Sequence, residues 1–319
     1  MYSSAVALLG ALVYGAADFL GGLAAKRLRS IVVTAVAAFT GLLLLLLAYP
    51  MIGGEWIPSD VIWGALSGVT GAVAIVLLYA CLAIGPMSIL SPLTAVVSAI
   101  APMLWGLVVE GETLSPIGYA GLGVVLVAVV LVGFVPGEQV ARPSVRGIVM
   151  AIGAGVAIGA FLIIIDQTSD ESGLVPLLMS RSVNTLITGA TIGVLALAAV
   201  RAGRPAASVW APEGPRIGVT PTGHADLEHA SERPEPAPLG PLRTAWLLAA
   251  ACGVLDAGAN LLLLVALRLG DLAVVSALTA TYPAGTIILA AIVLRERIAL
   301  VQWIGLALAV TAGVMLALA

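Results

Sequence analysis

Three ionisable residues stand inside stretches that are otherwise apolar: Asp18, Arg181 and Asp256. A charge within a bilayer costs at least about 2.5 kcal/mol on insertion scales, so each needs a partner or a task. Tyr14 precedes Asp18 by four residues and Asn260 follows Asp256 by four, spacings that place each pair on one face of a helix. A carboxylate in a low-dielectric surround can load and release a proton near neutral pH, so Asp18 and Asp256 are candidates for a proton or cation site, with Tyr14 and Asn260 beside them. The competing reading is an ion pair that locks helix packing, with Arg181 or Arg268 as the cation. Arg181 fits that structural role best, because a buried guanidinium commonly satisfies a carboxylate or helix carbonyls. Polar residues also stripe two further stretches, as Ser91, Thr94 and Ser98 in one and as Ser276, Thr279 and Tyr282 in the other. Ser91, Thr94 and Tyr282 join the ligand-contacting candidates, although hydroxyls at such spacing more often hold close-packed helices together. Glu112 and Glu296 lie beside loops and are expected to fix helix ends; Asp166 reads as interfacial.

The stretches that carry these residues make up most of the chain. Of its 319 residues, 61% are hydrophobic and 10% charged, with a mean hydropathy of +1.14. A soluble fold of this size has too much surface to cover with so few charges. Ten apolar runs, near 3–23, 31–49, 60–84, 87–109, 115–135, 146–166, 174–200, 243–267, 271–293 and 299–318, approach or exceed the length a helix needs to cross the hydrocarbon core. Backbone groups in lipid must be satisfied within the segment, so runs of this length are helices rather than barrel strands. The first run has no basic residue ahead of it and is long for a signal peptide, and is expected to be a retained helix. The expected fold class is an all-α integral membrane protein with ten transmembrane helices.

One segment differs. Residues 201–242 hold eight of the 18 prolines and both histidines, His224 and His229, with mixed charge and no apolar periodicity. They are expected to form a polar, disordered linker. Neither histidine has a cysteine nearby, and Cys81 and Cys252 lie inside apolar runs, so no metal site or disulfide framework is expected. No cofactor and no nucleic-acid partner are expected.

The chain also repeats itself. Gly85, Ser91, Thr94, Glu112 and Gly121 recur as Gly270, Ser276, Thr279, Glu296 and Gly305, with an offset of 185 at the first glycines and 184 at the glutamates. Duplicated blocks of membrane spans are the signature of a transporter built from two related halves. The expected halves are 1–140 and 141–319, the second interrupted by the linker. Five spans in each half invert the second relative to the first. Loops after runs 1, 5, 7 and 9 hold twelve of the 14 basic residues, whereas the opposite side holds Arg268 alone. The bias of basic residues toward the cytoplasm puts the linker inside, in a multi-pass cell-membrane protein.

The repeated block, most clearly Ala266-Leu267-Arg268-Leu269-Gly270 through Glu296-Arg297 and Gln302-Trp303-Ile304-Gly305, closely resembles the EamA branch of the drug/metabolite transporter superfamily. The resemblance covers all but the linker. It implies two inverted five-helix repeats around a cavity lined mainly by spans 1, 3, 4, 6, 8 and 9, and passage of small metabolites by alternating access. Two departures stand out. Family members usually keep both termini in the cytoplasm, whereas the charge bias here puts them outside. The family's fourth-span proline is absent at Ala99, with Pro102 three residues on, so the break in that helix is expected to be shifted.

The expected activity is secondary transport, export of a small metabolite or drug-like solute, with proton exchange at Asp18 or Asp256 as the simplest coupling. Uncoupled facilitation and channel function are alternatives. So is a membrane-embedded enzyme such as an intramembrane protease or a lipid-modifying transferase, but no nucleophile–base pair, HExxH or phosphate loop supports it. The expected partners are a small-molecule substrate, the lipid bilayer and protons, with the chain a monomer or homodimer.

Overall fold

In lipid, a backbone N–H or C=O finds no water, so an apolar run satisfies its own polar groups by coiling into a helix. The computed structural model describes residues 2–25, 27–84, 87–133, 144–210, 242–293 and 299–318. Among them every regular element is helical: α1 (Tyr2–Ala25), α2 (Ser30–Ile52), α3 (Pro58–Ile84), α4 (Met87–Val108), α5 (Pro116–Gly133), α6 (Val145–Asp166), α7 (Val175–Arg201), α8 (Leu242–Leu269), α9 (Leu272–Thr279), α10 (Tyr282–Val293) and α11 (Leu300–Ala317), with two short 3-10 turns. Eight stretches, α1, α2, α5, α6, α7, α8, α9 with α10, and α11, are long and apolar enough to cross a membrane. The apolar stretch of α4, Leu93–Val108, is shorter, and α3 runs for 27 residues.

Local chemistry sets the helix ends. The Ser144 hydroxyl accepts the Gly147 N–H at 3.1 Å and caps α6. Pro176 occupies the first turn of α7, where no N–H is needed. Gln302 Oε1 accepts the Ala299 N–H at 3.0 Å ahead of α11. Gly53, at φ +74°, ends α2 in a conformation that only glycine adopts freely.

Three features depart from the sequence expectation. The ninth run, expected as one span over 271–293, is two helices, because Pro283 has no N–H to offer the Thr279 carbonyl and the ladder breaks there. In contrast, α4 continues through Pro102 to Val108, so the expected shifted break does not interrupt it. The first ten residues assigned to the disordered linker are ordered. Arg201 ends α7, Ala206–Val209 form a 3-10 turn, Val209 is buried, and Trp210 meets Trp246 of α8 edge-on at 5.9 Å. Two apolar anchors in a polar stretch account for the docking. The rest of the linker, 211–241 with both histidines, lies outside the described residues, as does Glu296.

Helix neighbours follow a regular plan. α1 packs on α8 and α10, α6 on α3 and α4, α2 on α8 and α7, α3 on α7, α5 on α11, and α9 on α4. Small residues permit the close contacts: a Cβ built on Gly253 of α8 would overlap Ala37 of α2. One end of the bundle, here the linker face, joins the Arg29 N–H to the Trp210 carbonyl at 3.0 Å. The opposite, distal face gathers the segments around residues 53–57, 109–115, 167–174 and 270–271, tied by the Glu55 N–H to the Glu171 carbonyl at 2.8 Å and the Leu174 N–H to the Gly53 carbonyl at 3.1 Å.

Candidate functional site

The site is built outward from α1. Its exposed residues Tyr2, Leu9 and Leu12 lie on one face. Asp18 is nine residues from Leu9, about two and a half turns, and so lies on the opposite face. Its side chain nevertheless keeps accessible surface. The flanking contacts show where it points. A Cβ on Gly15 would stand 2.6 Å from the Tyr282 carbonyl of α10, whereas Cβ atoms on Gly10 and Gly21 would meet Leu262 and Cys252 of α8 at 3.4 and 3.1 Å. Asp18 therefore opens between α8 and α10, toward the interior of the bundle. Thr286 of α10 strengthens this seam by donating its hydroxyl to the Gly15 carbonyl at 3.1 Å.

Around Asp18 the structure assembles most of the expected polar set. Tyr14 is within electrostatic reach of Asp18, Asp256 and Arg181, and Asp18 of Asp256, Tyr282 and Cys252. Arg181 of α7 makes an ion pair with Asp256 of α8, through Nη2 and Oδ2, and both side chains keep partial water contact. Among the described residues, Asp18 has neither a hydrogen bond nor an ion pair. The two carboxylates thus differ: one is neutralised by a guanidinium, and the other stands open. Asn260 is buried and donates to the Asp256 backbone carbonyl at 2.8 Å, so its amide serves its own helix.

Other candidates lie elsewhere or do other work. Thr94 is buried and donates to the Leu90 and Ala151 carbonyls at 3.0 and 3.1 Å, which ties α4 to α6. Ser91 belongs to α4, but its side chain lies outside the described residues. Arg268 pairs with neither Asp18 nor Asp256. It stands on the distal face, donating to the Ser169 and Gly173 carbonyls at 3.1 and 3.0 Å and lying 3.4 Å from Asp170. With Asp166, Thr168 and Asp170 it lines a cavity of about 230 Å³ between the ends of α6 and α8.

Two α7 residues not singled out in the sequence belong with Arg181. Asn184 and Thr188 follow it by three and seven positions, on the same inward face, and both are buried. The Asn184 Oδ1 is buried without a hydrogen-bond partner. The signal was the spacing from Arg181, which uncharged side chains make faint.

The distal face is closed by polar contacts. The Asp60 carboxylate accepts the Ser169 N–H and hydroxyl at 3.1 and 2.5 Å. Glu112 accepts the N–H groups of Leu272 and Ala273 at 2.5 and 3.0 Å. It thereby holds a helix terminus, and that terminus belongs to the other half of the sequence. Burial keeps the Glu112 carboxyl above the usual carboxylate range, against the pull of those two amide donors.

Comparison with known proteins follows the same line. Residues 1–134 and 233–318 match the EamA-like transporter family, more than half of the chain. No curated protein matches. A solved crystal structure shares the fold at a TM-score of 0.70 and 15% identity, over 99% of this chain and 96% of that one.

Proposed function

Because the chain belongs to the EamA-like transporter family, we propose that this multi-pass membrane protein is a secondary transporter that exports a small solute by alternating access and is driven by proton exchange at Asp18. One observation carries the reading: Asp18 faces the bundle interior, keeps accessible surface there, and has no partner among the described residues. A carboxylate without a fixed cation can exchange a proton or a cationic group with the solution. Asp256 is held by Arg181, and its role is to keep that guanidinium neutralised inside the bundle.

The ten apolar runs form two inverted five-span repeats, 1–140 and 141–319. The neighbour plan supports this. Exchanging spans 1 to 5 for spans 6 to 10 turns the α1–α8 contact into α6–α3, α1–α10 into α6–α4, and α2–α8 into α7–α3, all of which occur. Contacts between α2 and α7, α4 and α9, and α5 and α11 map onto themselves. Such a pseudo-twofold arrangement permits the two halves to rock about a fixed site.

Solutes that suit the site are small and cationic or zwitterionic, since an open carboxylate faces the bundle interior within electrostatic reach of the Tyr14 and Tyr282 phenols. The test uses purified protein in proteoliposomes carrying a lumenal pH dye, challenged with amino acids, polyamines, nucleosides and quaternary amines. A solute that moves protons with wild type should move none with Asp18→Asn, while the variant remains folded. Unchanged proton movement in Asp18→Asn removes Asp18 from the mechanism. Asp256→Asn tests the second carboxylate in the same assay, where the proposal expects weakened stability rather than a specific loss of coupling.

A further inference from the structure

We propose that Glu112 is a gating residue: its carboxylate latches the first turn of α9 and keeps the distal face of the bundle closed, so that opening this face requires the contact to break. The cycle in which it opens rests on the transporter reading above; the latch itself rests on geometry.

The first turn of any helix has N–H groups without intrahelical partners, and the residue just ahead usually caps one of them. Asp271 stands in that position for α9 and is a residue type well suited to the task, yet its side chain makes no capping bond. Glu112 does so instead, from 160 residues away in the sequence, with one carboxylate oxygen on Leu272 N–H and the other on Ala273 N–H. Bonds to an ionised acceptor are roughly twice as strong as neutral ones. A local cap would stabilise α9 wherever it moved. A cap supplied by the α4–α5 loop holds α9 in one place.

The loop is shaped to deliver that carboxylate. Gly111, at φ +73°, lets the chain turn after α4, and the Glu112 N–H closes the turn onto the Gly106 carbonyl at 3.0 Å. Gly106 leaves the room: a Cβ there would stand 2.7 Å from the Glu112 carboxyl carbon. The receiving element is also suited to move. All eight residues of α9 are buried, and the break before Pro283 separates it from α10, so it can swing as a short rigid piece. While latched, α9 packs on α4 and α1 and covers the interior from the distal side.

Ser276, fully buried one turn past Ala273, reports the state of this face. The experiment places Ser276→Cys in full-length protein with Cys81→Ser and Cys252→Ser, reconstitutes it in oriented vesicles, and times its reaction with a membrane-impermeant maleimide added at the distal face. Glu112→Ala should speed labelling about tenfold or more, the factor expected from losing two charge-assisted hydrogen bonds. Gly106→Ala, which keeps the glutamate but displaces its carboxylate, should do the same. Glu112→Gln, which retains one acceptor oxygen, should fall between. A residue that only stabilised a helix end would lower the melting temperature and leave labelling from the distal face unchanged in folded Gly106→Ala and Glu112→Gln; that result overturns the proposal. Faster labelling with no solute flux in any assay would sink the transporter reading and leave the latch standing.

Discussion

Removing one partner of the Arg181–Asp256 pair leaves a charge stranded inside the bundle. Arg181→Ala should therefore cost about 3 kcal/mol, at the low end for buried pairs because both side chains keep some water contact. The double variant Arg181→Ala with Asp256→Ala should recover a large part of that loss, since no stranded charge remains. Thermal unfolding of the two singles and the double in the same detergent measures it. Equal losses that simply add would mean the pair contributes no coupling. Asp18→Asn, which breaks no contact among the described residues, should leave the melting temperature unchanged or raised. At this scale the sequence was readable wherever a charge interrupted an apolar run, as at Asp18, Asp256 and Arg181; Tyr14 and Tyr282 followed from spacing and polar striping, and the structure places both near Asp18. Asn184 was missed, because its only signal was the three-residue spacing from Arg181, which an uncharged side chain makes faint. The partners of Glu112 were also hidden, since nothing local points to Leu272 and Ala273 on the other half of the chain.

In the proposed cycle, movement depends on the break between α9 and α10. Pro283→Ala restores an N–H for the Thr279 carbonyl, so α9 and α10 should fuse toward one continuous helix. The expected outcome is a protein as stable as wild type or more so, with slower solute flux; flux at the wild-type rate would show that the break has no part in the cycle. The α1–α10 seam offers a steric test. Gly15→Val would drive a side chain into the backbone around Tyr282 and Thr286 and should cost about 2–3 kcal/mol by overpacking, read as a lower melting temperature. Helix positions were legible because apolar runs of spanning length, bounded by Gly and Pro, have few alternatives in lipid. Pro283 marked the ninth run as one that could break, while Pro102 gave the same hint in α4 and did not interrupt it. Composition alone also misjudged residues 201–210, where Val209 and Trp210 find apolar partners that a count of prolines and charges does not reveal.

For the whole molecule, the duplicated Gly, Ser, Thr and Glu pattern pointed to two related halves, and the exchange-symmetric neighbour plan supports that reading. Twelve basic residues on the linker side set the expected orientation. A cysteine at Ala207, exposed in the docked segment, should react with an impermeant reagent from the cytoplasmic side only; reaction from outside intact cells would reverse the assignment. Alternating access has a probe built into the chain. Cys252 lies on the inward face of α8, one turn before Asp256 and within reach of Asp18. With Cys81→Ser to remove the other thiol, its reaction with a membrane-impermeant reagent is timed separately from each face of oriented vesicles. Reaction is expected from both faces, slower from the distal one. Reaction from one face alone, or from neither, would contradict a site that opens to both sides of the membrane in turn.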